Sequence, residues 1–575
     1  MRSKLYYILF LALAGIMMAA ALVTVRESAY FQPFKTASGT GDGGTENSFI
    51  QVVSRESFEE RRQSLPEADF SPSDYLWRGG PAACDSEKAS VYLPCNVSAL
   101  TDLFAGLMPS APRSIIYVCR DEKMEDPAAA VEEGYAFEAL LVSGQHVQAF
   151  HIILTGLPAL CIEKTDREEI LNKEEHEGRL RYIPLDQTDA GTDLSEVADL
   201  SEAADLSEAA PDALLKCTFH VRGNVSSGLD KKPYKISLTN GAGEKMKVSL
   251  GGLRADDDWI LNPLYTDQSR VREMTAYTLW DRVSAFSDSP QASSRMRYVE
   301  VFLDHSYQGI YGLMEPVDGT QLGLSPGDLL YKIDRWDREY PYIDLYEESE
   351  GKTEIYNDYG FPCVEIRYPI AWDPTADWSP MQAFHEFSFR TKDPRSLTTA
   401  GLETDIDSVV TLSLYCAMTH AMDNNWKNSF LIAKQTDGGG YQLFRTIWDL
   451  NYVFGDVFIF EPDEKYTVFD PKTASGYTPC EDSTYDFEAF LQADLSLEGS
   501  LADKWAVWRK GGISADSICQ DARAHMSRLT ESGALAREME RWPQQKNCAE
   551  ALDEMEEWIR ARFAYLDERY GWNAR

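Results

Sequence analysis

Positive charge is what this sequence has too little of: 55 Lys and Arg stand against 93 Asp and Glu, a formal balance of −38. A chain so acidic is not held on nucleic acid by bulk electrostatics, and no nucleic-acid partner is expected. Beyond residue 26 there is no second long apolar run, which excludes a multi-span transporter or channel. Histidine is scarce, with eight scattered residues, and His385-Glu386 begins like a zinc-protease helix only to meet Phe389 where the second ligand belongs. No metal site built on histidine is expected. The ten cysteines include no CxxC pair, which argues against a zinc ribbon or a thioredoxin-type centre. Apolar material is not lacking: 44% hydrophobic residues and 13 Trp supply core for two or more domains and exclude wholesale disorder.

Residues Leu5 to Val25 form an almost uninterrupted apolar stretch behind Arg2 and Lys4. This reads as an insertion signal over 1–26, either a retained membrane anchor or a cleaved signal peptide. Both readings put the rest of the chain outside the cytoplasm, where disulfides persist, and at least one bridge is expected among Cys84, Cys95, Cys119 and Cys161, with buried free thiols as the alternative. Residues 27–64, poor in apolar periodicity and rich in glycine near 38–44, read as a flexible stalk. A small globular domain without assignable chemistry follows at 65–190. Residues 191–211 hold three tandem hexapeptides, DLSEVA, DLSEAA and DLSEAA. Six residues advance a helix by about 600°, so their leucines line no common face, and an acidic linker or an expanded surface loop is the reading. The remaining region, 212–575, alternates strand and helix patterns irregularly, as α+β proteins do. A hairpin is expected from Met296–Leu303 and Gly309–Glu315, and helices over Val409–Met422 and Ala551–Arg569.

Two tempting strings fail on chemistry. Gly323-Leu-Ser-Pro-Gly327 matches a nucleophile elbow, yet Pro326 has no N–H for an oxyanion hole, so the match reads as a turn. Gly223 to Gly228 has P-loop spacing, but Leu229 and Asp230 stand where Lys and Ser or Thr are required.

One constellation survives. Asp423-Asn-Asn-Trp-Lys-Asn428 is followed by a strand, the turn Asp437-Gly-Gly-Gly440, and a second strand running to Asp449. Counted back from the turn, Asn428 falls roughly opposite Ile447, which brings Asp449 within a few residues of Asn428 and Asp423. Phosphoryl transfer needs such a set: one carboxylate to take the hydroxyl proton, a second plus an amide to hold divalent cations against ATP phosphates. In protein kinases the catalytic Asp and metal-binding Asn are five positions apart, as Asp423 and Asn428 are. An Asp and an Asn in a loop also cap helices and close turns, so spacing leaves both readings open. Arg222-Gly-Asn-Val-Ser-Ser-Gly228, leading to Lys231, Lys232 and Lys235, adds cations suited to phosphate or, equally, a solvated hairpin.

The order of these pieces resembles the spore-coat protein H (CotH) kinase family, distant relatives of protein kinases. The strings that carry the resemblance are RGNVSSG with KKPYKISL, DDWIL, Asp267-Gln-Ser-Arg-Val-Arg272, VEVFLDHSYQGIYGLMEPV, LLYKID, DNNWKN, WDLNYVFG and Trp558-Ile-Arg-Ala-Arg562, spanning about Cys217 to Leu566. The resemblance implies a kinase-like α+β domain, with ATP and Mg²⁺ or Mn²⁺ as cofactors and a protein of the cell surface or spore coat as substrate. It implies Asp423 as catalytic base and Asp449 as metal ligand with Asn428 beside it. It makes Lys235 the candidate phosphate-contacting lysine, Lys332 its competitor, and Glu315 the acid that orients whichever is used. The family usually reads WDxD where this chain has Trp448-Asp-Leu-Asn451. One carboxylate has become a neutral ligand, so weakened metal binding, and a scaffold or adhesin role without catalysis, is the alternative implied.

Overall fold

The computed structural model describes residues 49–572 apart from 97–102, 167–168, 171–172, 186–213, 224–225, 290, 336–353, 357–361, 370–376, 457–469, 473–482, 495–496, 498 and 544–546. The apolar run at Leu5–Val25, the first part of the expected stalk, the hexapeptides and Cys480 lie outside the described residues. Among the described residues no helix is long and apolar enough to cross a membrane. The architecture is mixed α and β, with several sheets, and Phe49 to Arg575 clusters as one compact unit.

The second half of the expected stalk is ordered, which corrects that reading. Ile50–Val53 pairs in parallel with Ile115–Cys119 at the edge of a six-stranded sheet. Arg55–Ser64 is a helix whose N-cap, Ser54, accepts the Ser57 N–H. Only Phe58 of that helix is buried, so there was no apolar stripe to read.

Seven strands close a barrel: β1 (Ala159–Lys164), β2 (His176–Ile183), β3 (Leu215–Val221), β4 (Tyr234–Thr239), β5 (Asp258–Asn262), β6 (Met296–Leu303) and β7 (Ser306–Met314). The order is β1-β2-β3-β4-β5-β7-β6, and β1 closes it by running parallel to β6. Alternation does the sorting: Tyr234, Ile236 and Leu238 point into the barrel core while Lys235 and Ser237 lie on the other face. The expected hairpin is present but tighter than its spacing implied. Asp304 and His305 both take positive φ, 48° and 59°, and the second strand starts at Ser306 instead of Gly309. Because β1 and β2 precede residues 191–211 and β3 follows them, the pairing of β2 with β3 runs across the stretch read as a linker.

A second six-stranded sheet combines β8 (Leu329–Ile333), β9 (Glu354–Tyr356), β10 (Pro362–Tyr368), β11 (Leu402–Thr404), β12 (Ser429–Gln435) and β13 (Tyr441–Ile447), in the order β9-β10-β8-β12-β13-β11. Helices α1 (Arg272–Ser284), α2 (Ser379–Glu386), α3 (Ile406–Thr419), α4 (Ala534–Arg541) and α5 (Cys548–Arg569) supply much of the remaining frame. Apolar residues of α1, α3, α5 and the second sheet form the largest core cluster. The Gly323–Gly327 string is a turn, with the Ser325 N–H donating to the Asp328 carboxylate at 2.8 Å.

The expected disulfide is corrected as well. All nine cysteines among the described residues are free thiols, including Cys84, Cys95, Cys119 and Cys161. Cys84 and Cys161 even line one small cavity between the first sheet and the barrel. Burial pushes the Cys84 thiol well up and the Cys161 thiol up to about 12, so the thiolate that oxidation requires is scarce.

Candidate active site

Helix α3 stops where His420 adopts a left-handed φ of 57° and caps it. The chain then makes a single 3₁₀ turn, Met422–Asn424, that carries Asp423 out toward the β12–β13 hairpin. Buried Asn424 fixes this turn, its side-chain N–H₂ donating to the carbonyls of Asn428 at 2.9 Å and Trp448 at 2.6 Å. The hairpin register is one residue off the expected count: Ser429 lies opposite Ile447, and the Trp448 N–H donates to the Asn428 carbonyl. The consequence drawn from the sequence is unchanged, because the open ends of the hairpin still meet beside Asp423.

Asp423 and Asn428 are in direct contact, with Asn428 Nδ2 donating to Asp423 Oδ2 at 2.8 Å. Lys427 Nζ donates to the same oxygen at 2.7 Å. Asn428 and Asp449 both hold positive φ, 53° and 57°. Short polar side chains tolerate that region, and such backbone collects at functional sites. The Asp449 N–H donates to the Tyr277 hydroxyl of α1 at 3.1 Å.

The charges explain one another. Burial raises Asp449 above the usual carboxylate range, Lys427 opposes it, Asp423 adds to it, and Arg222 and Lys332 pull it down. Burial lowers Arg222, and the Asp449 carboxylate is the first group to offset that. The Arg222 guanidinium sits over the Trp448 ring at 5.7 Å, so the end of β3 reaches the hairpin. Lys332 on β8 is paired to Asp334 at 2.5 Å and still bears on Asp449. Asp423, Asn428, Asp449, Arg222 and Lys332 are thus brought to one place.

Lys235 and Glu315 are placed differently. Lys235 is ion-paired with Asp258 at 3.0 Å across the β4–β5 ladder. Glu315, fully buried, accepts from Arg295 at 2.9 Å and from the Arg254 N–H at 3.3 Å. It is not brought to Lys235 or Lys332: two arginines occupy it, and each lysine pairs with its own aspartate. Sequence reasoning missed Asn424 and Lys427, which sit inside the DNNWKN string it had singled out. It also missed Glu273 and Tyr277, for which only the helical spacing of four along α1 gave a signal.

A divalent cation fits this donor set. The Oδ1 atom of Asn451 is buried without a hydrogen-bond partner, and it lies two residues from Asp449. Among the described residues no group of three or more His, Cys, Asp and Glu side chains is arranged to hold a metal. The oxygens of Asp449, Asn428 and Asn451 are carboxylate and amide donors, the hard-donor chemistry that Mg²⁺ and Mn²⁺ accept.

An acid and an amide five residues apart on a turn, with a second acid at the end of the next hairpin and cations around them, define a kinase-like protein. A model of the CotH kinase protein family matches residues 219–566, more than half of the chain. The chain belongs to that family. No curated protein matches it significantly.

Proposed function

We propose that the protein is an atypical, divalent-metal-dependent protein kinase that transfers the γ-phosphate of ATP to a hydroxyl side chain of a surface or spore-coat-type protein. The observation that carries this reading is the contact of Asp423 with Asn428 beside Asp449. Both donors to Asp423 use Oδ2, so Oδ1 is the oxygen to take the substrate hydroxyl proton. Lys427 holds that carboxylate in place and adds positive charge where the transferred phosphoryl develops negative charge. Arg222 and Lys332 bind the remaining phosphate oxygens, with Lys235 outside this group. Mg²⁺ or Mn²⁺, when bound, neutralises the phosphates and lines them up for displacement, and Asp449, Asn428 and Asn451 would hold it.

The site of action we propose is extracytoplasmic, with the Leu5–Val25 run as the membrane attachment. A second reading, a kinase-like scaffold or adhesin, is favoured by one observation, the amide at Asn451 in place of a carboxylate. The deciding experiment is ATP binding by the full chain with and without Mn²⁺, followed by transfer from γ-labelled ATP to surface-protein extracts. Binding with transfer supports the kinase; metal-independent or absent binding supports the scaffold.

A further inference from the structure

Helix α1 presses its first turns on the segment that carries Asp449 and Asn451. Arg272 donates from one guanidinium nitrogen to the carbonyls of Val453 at 3.1 Å and Phe454 at 2.8 Å. Four residues along from Glu273, Tyr277 takes the hydrogen bond of the Asp449 N–H. These two contacts bracket Glu273, and helical spacing puts it on the face that bears Tyr277. Its side chain is only 3% exposed, yet the single hydrogen bond it accepts from a side chain is neutral, from Asn262 Nδ2 at 2.8 Å on Oε2. No cation is paired with it within ion-pair distance among the described residues. A buried carboxylate without a paired cation is costly, so the group keeps its proton until something positive arrives. Burial first and then the neighbouring Asp449 push it up to about 8, with the Asn262 hydrogen bond and the Arg222 charge opposing, so near neutral pH a bound divalent cation would displace its proton.

The same segment shows the complementary deficit. Asn451 offers a neutral oxygen, buried and unpartnered, where an acid would supply charge. We infer that Glu273 is a further ligand of the divalent cation, supplying from α1 the negative charge that Asn451 does not, so that Glu273 joins Asp449, Asn428 and Asn451 in holding the metal that accompanies ATP. This rests on the kinase reading of the site and deepens it. It also answers the objection that Asn451 raises, because charge lost on one element is returned from another.

The test is Mn²⁺ binding by the full chain, read by electron paramagnetic resonance and calorimetry with and without a non-hydrolysable ATP analogue, needing no turnover. Glu273→Gln keeps shape and the Asn262 contact but removes the charge. It is expected to weaken Mn²⁺ binding about 10- to 100-fold, the scale for losing such a group, while the metal-free melting temperature stays the same or rises. Adding Asn451→Asp to Glu273→Gln should restore binding, an outcome that a packing role cannot produce. Glu273→Gln with wild-type Mn²⁺ affinity, or no rescue by Asn451→Asp in a folded double variant, would overturn the inference while leaving the kinase reading intact. Wild-type protein that binds no Mn²⁺ with the nucleotide would overturn both.

Discussion

Asp423 receives two hydrogen bonds on one oxygen, whereas Asp449 has a left-handed backbone and feels the charges of Lys427, Asp423, Arg222 and Lys332, and the two carboxylates should fail differently when removed. Asp423→Ala is expected to keep metal-dependent ATP binding and to lower transfer by about two orders of magnitude, the scale of a lost general base. Asp449→Ala should abolish the metal-dependent part of binding itself. A third prediction concerns pH. His385 is buried against Phe389 and Trp426, ring centroids 5.0 and 5.6 Å away, and burial lowers it to about 4. Its folded pKa lies below the usual unfolded value of about 6.5, so the unfolded chain binds the proton first. Stability should be full above about 6.5 and fall as pH drops toward 4, by on the order of 2–3 kcal/mol for this group. Urea unfolding across that range, compared with His385→Phe, checks it: the variant should lose part of the slope. At this scale the sequence was informative where residues sit in one string, as in Asp423 to Asn428. It was silent where partners come from distant elements, as with Glu315, whose arginines Arg254 and Arg295 come from separate stretches of chain.

Among the elements, α4 is short but ties the barrel together. Glu538 on it accepts from Lys231 at 2.8 Å, Arg270 at 3.0 Å and the Ile310 N–H at 2.8 Å, with Lys231, Arg270 and Glu538 all fully buried. Gly309 makes room for it, since a Cβ there would come within 2.1 Å of Glu538 Oε2. One residue earlier Arg537 donates to Glu300 at 2.9 Å and to Thr155 at 2.8 Å, so the same helix also holds the first sheet. Glu538→Ala leaves two buried cations unpaired and should cost about 3–5 kcal/mol, read as a fall in the urea midpoint with secondary structure otherwise retained. Element type was legible from periodicity for the long segments: α3, α5 and the β6–β7 hairpin fall close to where the pattern put them. Boundaries were not, because caps set them. Capped by His420, α3 ends at Thr419, three residues before the expected Met422, and the Asn547 side chain starts α5 at Cys548, three residues early.

For the whole molecule, the barrel determines what can be cut away. Its β1 and β2 come from before the hexapeptides, so a fragment beginning at residue 212 would leave the β3 and β6 edges unpaired. Such a fragment should aggregate, whereas one beginning at residue 49 should remain monodisperse by size-exclusion chromatography. The acidic repeat did not show in sequence that the strands on either side of it, β2 and β3, pair with each other, because linker and surface-loop compositions look alike. The family pattern, by contrast, was legible because it is spread in order over 219–566. The most direct test of the kinase account is calorimetric titration of ATP into the full chain with and without Mn²⁺, run on wild type, Asp423→Ala and Asp449→Ala. Metal-dependent binding by wild type and Asp423→Ala but not by Asp449→Ala is the predicted result. Wild-type protein that binds no ATP in the presence of Mn²⁺ would contradict it.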